Sequence, residues 1–157
     1  MIKFTGEGSM KKRIVDQEIT LIPYYPDYET ALQWYQDPEV CKQVDNVEEA
    51  YSPDKLKLMY SYLSTHGDCY YIQYKDLLVG DVTLKNDGEI SIVICKEAQN
   101  RHIGRRCIQN LIEAAKEKGM TELKAQIYSF NEQSKKMFSE VGFQHLEKDW
   151  YIYSLSQ

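Results

Sequence analysis

The chain lacks a membrane-spanning signature: no apolar run approaches the ~18 residues needed to cross a bilayer. Its first residues lack the apolar core of a secretory signal, so a cytoplasmic protein is expected. Cysteine is scarce. Cys41, Cys69, Cys95 and Cys107 form no CxxC pair and no Cys/His cluster. They read as reduced packing thiols, and neither a disulfide frame nor a metal site is expected. No GxGxxG run, internal repeat, linker or low-complexity stretch is present. Basic residues are the minority, with Lys+Arg of 19 against Asp+Glu of 24 and a net charge of −5. That balance argues against nucleic acid as the main partner and favours a cationic small substrate.

What is present fits one domain with a real core. The 157 residues are 43% hydrophobic and 27% charged, ordinary for a globular protein. A single domain over 1–157 is expected, with residues 1–12 as a flexible leader, because Thr5 to Met10 read Thr-Gly-Glu-Gly-Ser-Met.

Periodicity and punctuation predict the elements in order. Ile19 to Ile22 is a short strand ended by Pro23. Asp27 caps a helix to about Gln36, and Asp37-Pro38 stops it. Ser52-Pro53 opens a second helix with Leu56, Met59, Tyr60 and Leu63 on its apolar face. Strands are predicted at Cys69 to Tyr74, Leu78 to Leu84 and Glu89 to Cys95, joined by tight turns near Lys75-Asp76 and Asn86-Asp87-Gly88. A helix from about Gly104 to Lys118 buries Cys107, Ile108, Leu111, Ile112 and Ala115. Leu123 to Tyr128 is a strand, and Asn131 caps a helix over Glu132 to Val141. Strands near Phe143 to Leu146 and Trp150 to Leu155 finish the order. The central strand-helix-strand implies one parallel pair in a mostly antiparallel sheet.

The segment Gln99-Asn100-Arg101-His102-Ile103-Gly104-Arg105-Arg106 carries the chemistry. It joins an apolar strand to an amphipathic helix. Loop amides and a helix N-terminus favour an anion there. Arg101, Arg105 and Arg106 at a helix start are unfavourable unless an anion is present. The pyrophosphate of a nucleotide-containing cofactor is the expected occupant.

Three blocks together resemble a known family. The loop reads Gln99-x-x-His102-x-Gly104, close to Gln/Arg-x-x-Gly-x-Gly/Ala. Asn131-Glu132-Gln133-Ser134, Met137-Phe138 and Gly142-Phe143 match a second block. Trp34-Tyr35-Gln36-Asp37-Pro38-Glu39-Val40 resembles a W-x-x-D-P-x-V segment. In order and spacing these are similar to the GNAT superfamily of acetyl-CoA-dependent N-acetyltransferases, in the branch acting on ribosomal-protein alanine and small amines. The resemblance runs over nearly the whole chain from Ile19. It implies an α+β fold: a three-layer α/β/α arrangement whose mixed, mostly antiparallel central sheet splays at a parallel strand pair. It implies acetyl-CoA as co-substrate, no metal, and a primary amine as acceptor, on a protein N-terminus, polyamine or small molecule. Direct attack in a ternary complex follows, and dimers are common in similar proteins, so a homodimer is an expectation.

Carried over, Ile94 and Lys96 would offer backbone groups to pantetheine. Gln99, Arg101, His102, Ile103, Gly104, Arg105 and Arg106 would hold the phosphates, and Asn131, Ser134 and Phe138 the rest of the cofactor. His102 departs from the usual glycine, and a left-handed backbone there would be strained. Phe138 stands where family members often carry a tyrosine acid, and it has no proton to give. Glu89 is the candidate base, on one strand face with Ser91 and Val93, against a plain solvated carboxylate. Tyr128 is the candidate acid, against a packed strand tyrosine. Glu48 and Glu49 are rivals for a cationic acceptor. Seven of the 13 tyrosines fall between Tyr24 and Tyr62, an acceptor wall or plain packing. A non-catalytic acyl-CoA sensor and a nucleotide-binding α/β protein are the competing readings.

Overall fold

The computed structural model describes residues 10–47 and 49–155. Residues 1–9, most of the expected leader, and Glu48 lie outside the described residues. Met10 packs against the main core, and Arg13–Ile14 form β1, a strand the sequence reading did not include.

β1 pairs with β2 (Ile19–Pro23). Three helices follow: α1 (Tyr28–Trp34), α2 (Pro38–Asp45) and α3 (Pro53–His66). Pro38 was expected only to end a helix. It also begins α2, with Asp37 accepting the Glu39 N–H at 2.8 Å. Proline suits a first helical turn because that N–H has no partner there anyway. Ser52 caps α3 in the same way, accepting from the Lys55 N–H at 3.1 Å.

β3 (Gly67–Tyr74), β4 (Leu77–Lys85) and β5 (Ile90–Ile94) complete a five-stranded antiparallel sheet in sequence order. Lys75 and Asp76, at φ 48° and 71°, form the two-residue turn between β3 and β4. A short 3-10 turn at Lys96–Ala98 leads into the loop and α4 (Ile103–Glu117). β6 (Glu122–Gln126), α5 (Glu132–Val141), β7 (Gln144–Glu147) and β8 (Trp150–Ser154) follow, the strands forming a second sheet in the order β6-β8-β7.

The expected parallel pair is reduced to one rung. Glu89 and Lys124 form a single parallel bridge, with the Lys124 N–H donating to the Gly88 carbonyl at 3.0 Å. Beyond it β5 and β6 diverge, so the anticipated splayed sheet is two antiparallel sheets hinged at one point.

Two cores lie on opposite faces of the larger sheet. One is aliphatic: Leu21, Ile72, Val82, Leu84 and Ile90 meet Ile108, Leu111 and Ile112 of α4. The other is aromatic: Tyr35, Tyr51, Tyr60 and Tyr71 pack with Trp34, Leu56 and Val93 beneath α1–α3. Alternation along each strand assigns the faces. Cysteines 41, 69, 95 and 107 are all unpaired, and no described helix is long and apolar enough to cross a membrane.

Candidate active site

A cleft of about 780 Å³ runs from the start of α4, through the wedge between β5 and β6, to a floor beneath α2 and α3. That volume lies in the usual range for small-molecule and cofactor sites.

At one end lies the loop. α4 begins after His102, and its first i→i−4 bond runs from the Arg106 N–H to the His102 carbonyl, 3.2 Å. The amides of Ile103, Gly104 and Arg105 therefore precede the helical ladder, and all three residues line the cleft. His102 is left-handed at φ 59°, ψ 19°. Asn100 is also left-handed, at φ 66°. The strain anticipated for a non-glycine here is present in the backbone. Two reversals in three residues turn the chain so that the helix start faces the cleft. A Cβ on Gly104 would lie 2.5 Å from Met137 Sδ of α5. A larger residue here would force the Met137 side chain to shift at the cleft wall.

The three arginines do not converge as expected. Arg105 lines the cleft and reaches Glu140 at 3.4 Å. Arg106 turns to the opposite side, where its Nη1 lies 2.9 Å from both Asp16 and Glu18. Those pairs hold the β1–β2 turn against α4; the Asp16 carboxyl pKa is lowered against the raising effect of burial, by the Glu18 N–H and then by Arg106, and that of Glu18 chiefly by Arg106. Arg101 donates to the Glu97 carbonyl at 3.4 Å and borders a separate groove. Lys96 is exposed, paired with Glu39 at 3.1 Å, and borders that same groove.

The wedge presents backbone. Lys85 N–H bonds Glu89 O, and Cys95 N–H bonds Val79 O. By antiparallel alternation, Ser91 and Val93 therefore turn their backbone groups to β4, and Ile92 and Ile94 turn theirs into the wedge. The Gln99 side chain already donates to the Ile94 carbonyl at 2.9 Å, and to Gln43 at 3.2 Å.

Asn131 is buried and caps α5 by accepting the Ser134 N–H at 3.1 Å; both line the cleft. Phe138 also borders the cleft but is only 3% exposed, set edge-on against Phe143 at 5.0 Å. Tyr128 lies on the cleft two residues past the end of β6, not on the strand as expected, and stacks on Phe130. Burial raises its hydroxyl pKa. Glu89 lines the cleft and pairs with Lys85 at 3.1 Å. Glu49 is exposed and lies off the cleft lining.

The floor holds a group the sequence reading missed. Asp81 of β4 lines the cleft yet is only 2% exposed. Its Oδ2 accepts from Tyr35 at 2.7 Å and from Tyr60 at 2.8 Å. Burial pushes its carboxyl up to about 6, against the lowering effect of both tyrosine bonds. The same burial drives the two tyrosine hydroxyls well above their ordinary value. The signal was legible: Asp81 is a lone acid in the apolar strand Leu77 to Leu84. Among the described residues no group of three or more His, Cys, Asp or Glu gathers to hold a metal.

The sequence profile of the acetyltransferase (GNAT) domain matches residues 22–153. Solved structures share the fold. A GNAT-family acetyltransferase from Bacillus anthracis aligns at TM-score 0.74 with 14% identity, covering 88% of this chain and 95% of that one. An acetyltransferase from Salmonella typhimurium that modifies the N-terminal serine of ribosomal protein L7/L12 aligns at 0.73 with 12% identity, covering 93% and 100%. The microcin C7 self-immunity acetyltransferase MccE, in complex with acetyl-CoA and AMP, aligns at 0.72 with 16% identity, covering 90% and 94%. No curated protein matches the chain.

Proposed function

The chain belongs to the acetyltransferase (GNAT) family, whose members depend on acetyl-CoA, and on that premise we propose that it acetylates a primary amine by direct attack in a ternary complex. The observation that carries the reading is the continuity of the cleft. One cavity joins unbonded helix-start amides, a wedge of free strand backbone and an acidic floor.

The residues fit the cofactor. The amides of Ile103, Gly104 and Arg105 offer a pyrophosphate site with the helix dipole behind them. His102 adds a side chain at the same turn. Arg105 is the one loop arginine on the cleft, so the basic contribution narrows to it. Backbone groups of Ile92 and Ile94 suit an amide-bearing arm, with Gln99 ceding the Ile94 carbonyl. Asn131 and Ser134 border the far part.

Acetyl-CoA, when bound, supplies an acyl thioester. Glu89 takes a proton from the acceptor's ammonium, freeing the nitrogen lone pair that forms the new C–N bond. Wedge amides stabilise negative charge on the carbonyl oxygen. Tyr128, the one hydroxyl of the proposed pair, returns a proton to the departing sulfur. The acceptor is a protein N-terminus, a polyamine or a small-molecule amine, and a cytoplasmic location is consistent with four free thiols.

Calorimetry with acetyl-CoA tests the cofactor: binding is expected, and no heat at millimolar cofactor would sink the reading. Thiol release on a panel of amines tests the transfer. A second reading, an acyl-CoA sensor without turnover, is favoured by Phe138, which offers no acid where a tyrosine is usual. Binding without thiol release across the panel would select it.

A further inference from the structure

Resting on the amine-acetyltransferase reading, we propose that Asp81 seats the ammonium of the acceptor that does not react, the other amine meeting Glu89, and that the acceptor is therefore a diamine on a slim unbranched stem.

Proton accounting carries the first half. A tyrosine hydroxyl has one proton to donate. Tyr35 and Tyr60 both spend theirs on Asp81 Oδ2. Tyr51, which also borders the cleft, directs its proton at Asp45, 3.4 Å away. These three tyrosine hydroxyls therefore have no further proton for a ligand, and the donors on the lining are those of other residues such as Gln43 and Ser91. A buried carboxylate whose two tyrosine partners have already given their protons favours a group with several N–H donors and a positive charge. A neutral alcohol brings one donor and no charge, and an anion is repelled.

No resident cation fills the role. Among the described residues no lysine, arginine or histidine pairs with Asp81. The carboxylate is therefore a buried negative charge without a counter-ion, an arrangement that weakens a fold unless something completes it. A structural anchor for two tyrosines does not need a charge.

Access carries the second half. Asp81 is 98% covered, since only 2% of it is exposed. Val44, Met59, Leu63 and Val93 line the same end of the cleft and present apolar side chains. A methylene stem suits such walls. A peptide α-ammonium carries a polar carbonyl close to the nitrogen, and these four apolar side chains offer that carbonyl no hydrogen bond.

The test is calorimetric, on the full chain at neutral pH, with and without CoA. 1,5-Diaminopentane should bind, and 1,5-pentanediol should bind at least about tenfold more weakly. An alanine-initiated tripeptide amide should also trail the diamine. Asp81→Asn should lose about tenfold or more in diamine affinity while keeping its affinity for CoA, which reports an intact fold. Tyr35→Phe should cost a few-fold, since it removes one accepting oxygen and leaves the charge. The proposal is overturned if the diol matches the diamine, if the tripeptide binds better, if Asp81→Asn binds the diamine normally, or if the diamine does not bind. The diamine–diol comparison uses the wild-type chain alone and survives a variant that fails to fold. Failure of the transferase reading shows separately, as absent acetyl-CoA binding.

Discussion

The two faces of the five-stranded sheet are built from different materials. Against α4 the core is aliphatic, and its strand residues repeat the pattern any buried sheet shows. Beneath α1–α3 the core is aromatic and contains a buried carboxylate. The aliphatic face holds α4, whose first turn opens on the cleft. The aromatic face buries a carboxylate that two tyrosines bind at the cleft floor, the group proposed above to meet a substrate's ammonium. Division of labour between fold and function thus follows the alternation of side chains along single strands, Val82 and Leu84 to one side, Asp81 to the other.

Four experiments separate the faces. The largest effect belongs to the aliphatic one. Leu111 is fully buried, and Leu111→Ala should cost about 3 kcal/mol, lowering the melting temperature by roughly 10 °C. Denaturant titration measures it, and a loss under ~1 kcal/mol would mean the face is loosely packed.

Next comes the charge. The Asp81 pKa is raised from 3.8 to about 6 in the folded chain. The native state therefore holds a proton that the unfolded chain releases, and the carboxyl's contribution to stability falls as pH rises between those values. Asp81→Asn should gain on wild type across that window, by up to about 3 kcal/mol. Paired denaturation curves at pH 4 and pH 7 give the difference. A constant gap would show that Asp81 titrates normally.

Gly104→Val forces Met137 to move and crowds the helix start, and should weaken acetyl-CoA by about tenfold, ~1.4 kcal/mol. Unchanged affinity in a titration would displace the phosphate site from this turn. The smallest contrast compares neighbours. Arg105→Ala should reduce cofactor affinity a few-fold. Arg106→Ala should leave it alone and cost up to about 1 kcal/mol of stability, the value of a partly exposed ion pair. The reverse result would restore Arg106 to the site.

Most helices and strands were readable because their signals are local. Asp27, Ser52 and Asn131 each cap a helix within three residues, and the β3–β4 turn needs only its own two residues. α2 was lost because Asp37-Pro38 ends one helix and starts another, and a stop signal hides a start. The loop was legible as a junction opening on a helix N-terminus since strand, turn and helix start are contiguous. Its arginines were not, because where a long side chain points depends on partners 88 and 90 positions away, at Glu18 and Asp16. Asp81 depends on Tyr35 and Tyr60, drawn from two other helical segments, so only its isolation in an apolar strand marked it.

The single rung between Glu89 and Lys124 has a mechanical consequence. In backbone hydrogen bonds the two sheets meet at one pin, while Leu123, Ala125 and Ile127 share a single hydrophobic core with Val82, Leu84 and Ile90. A narrow molecule with amide groups, seated along β5, would act as a second pin. Occupancy would then add backbone hydrogen bonds to a junction that, beyond the one rung, side-chain packing holds together.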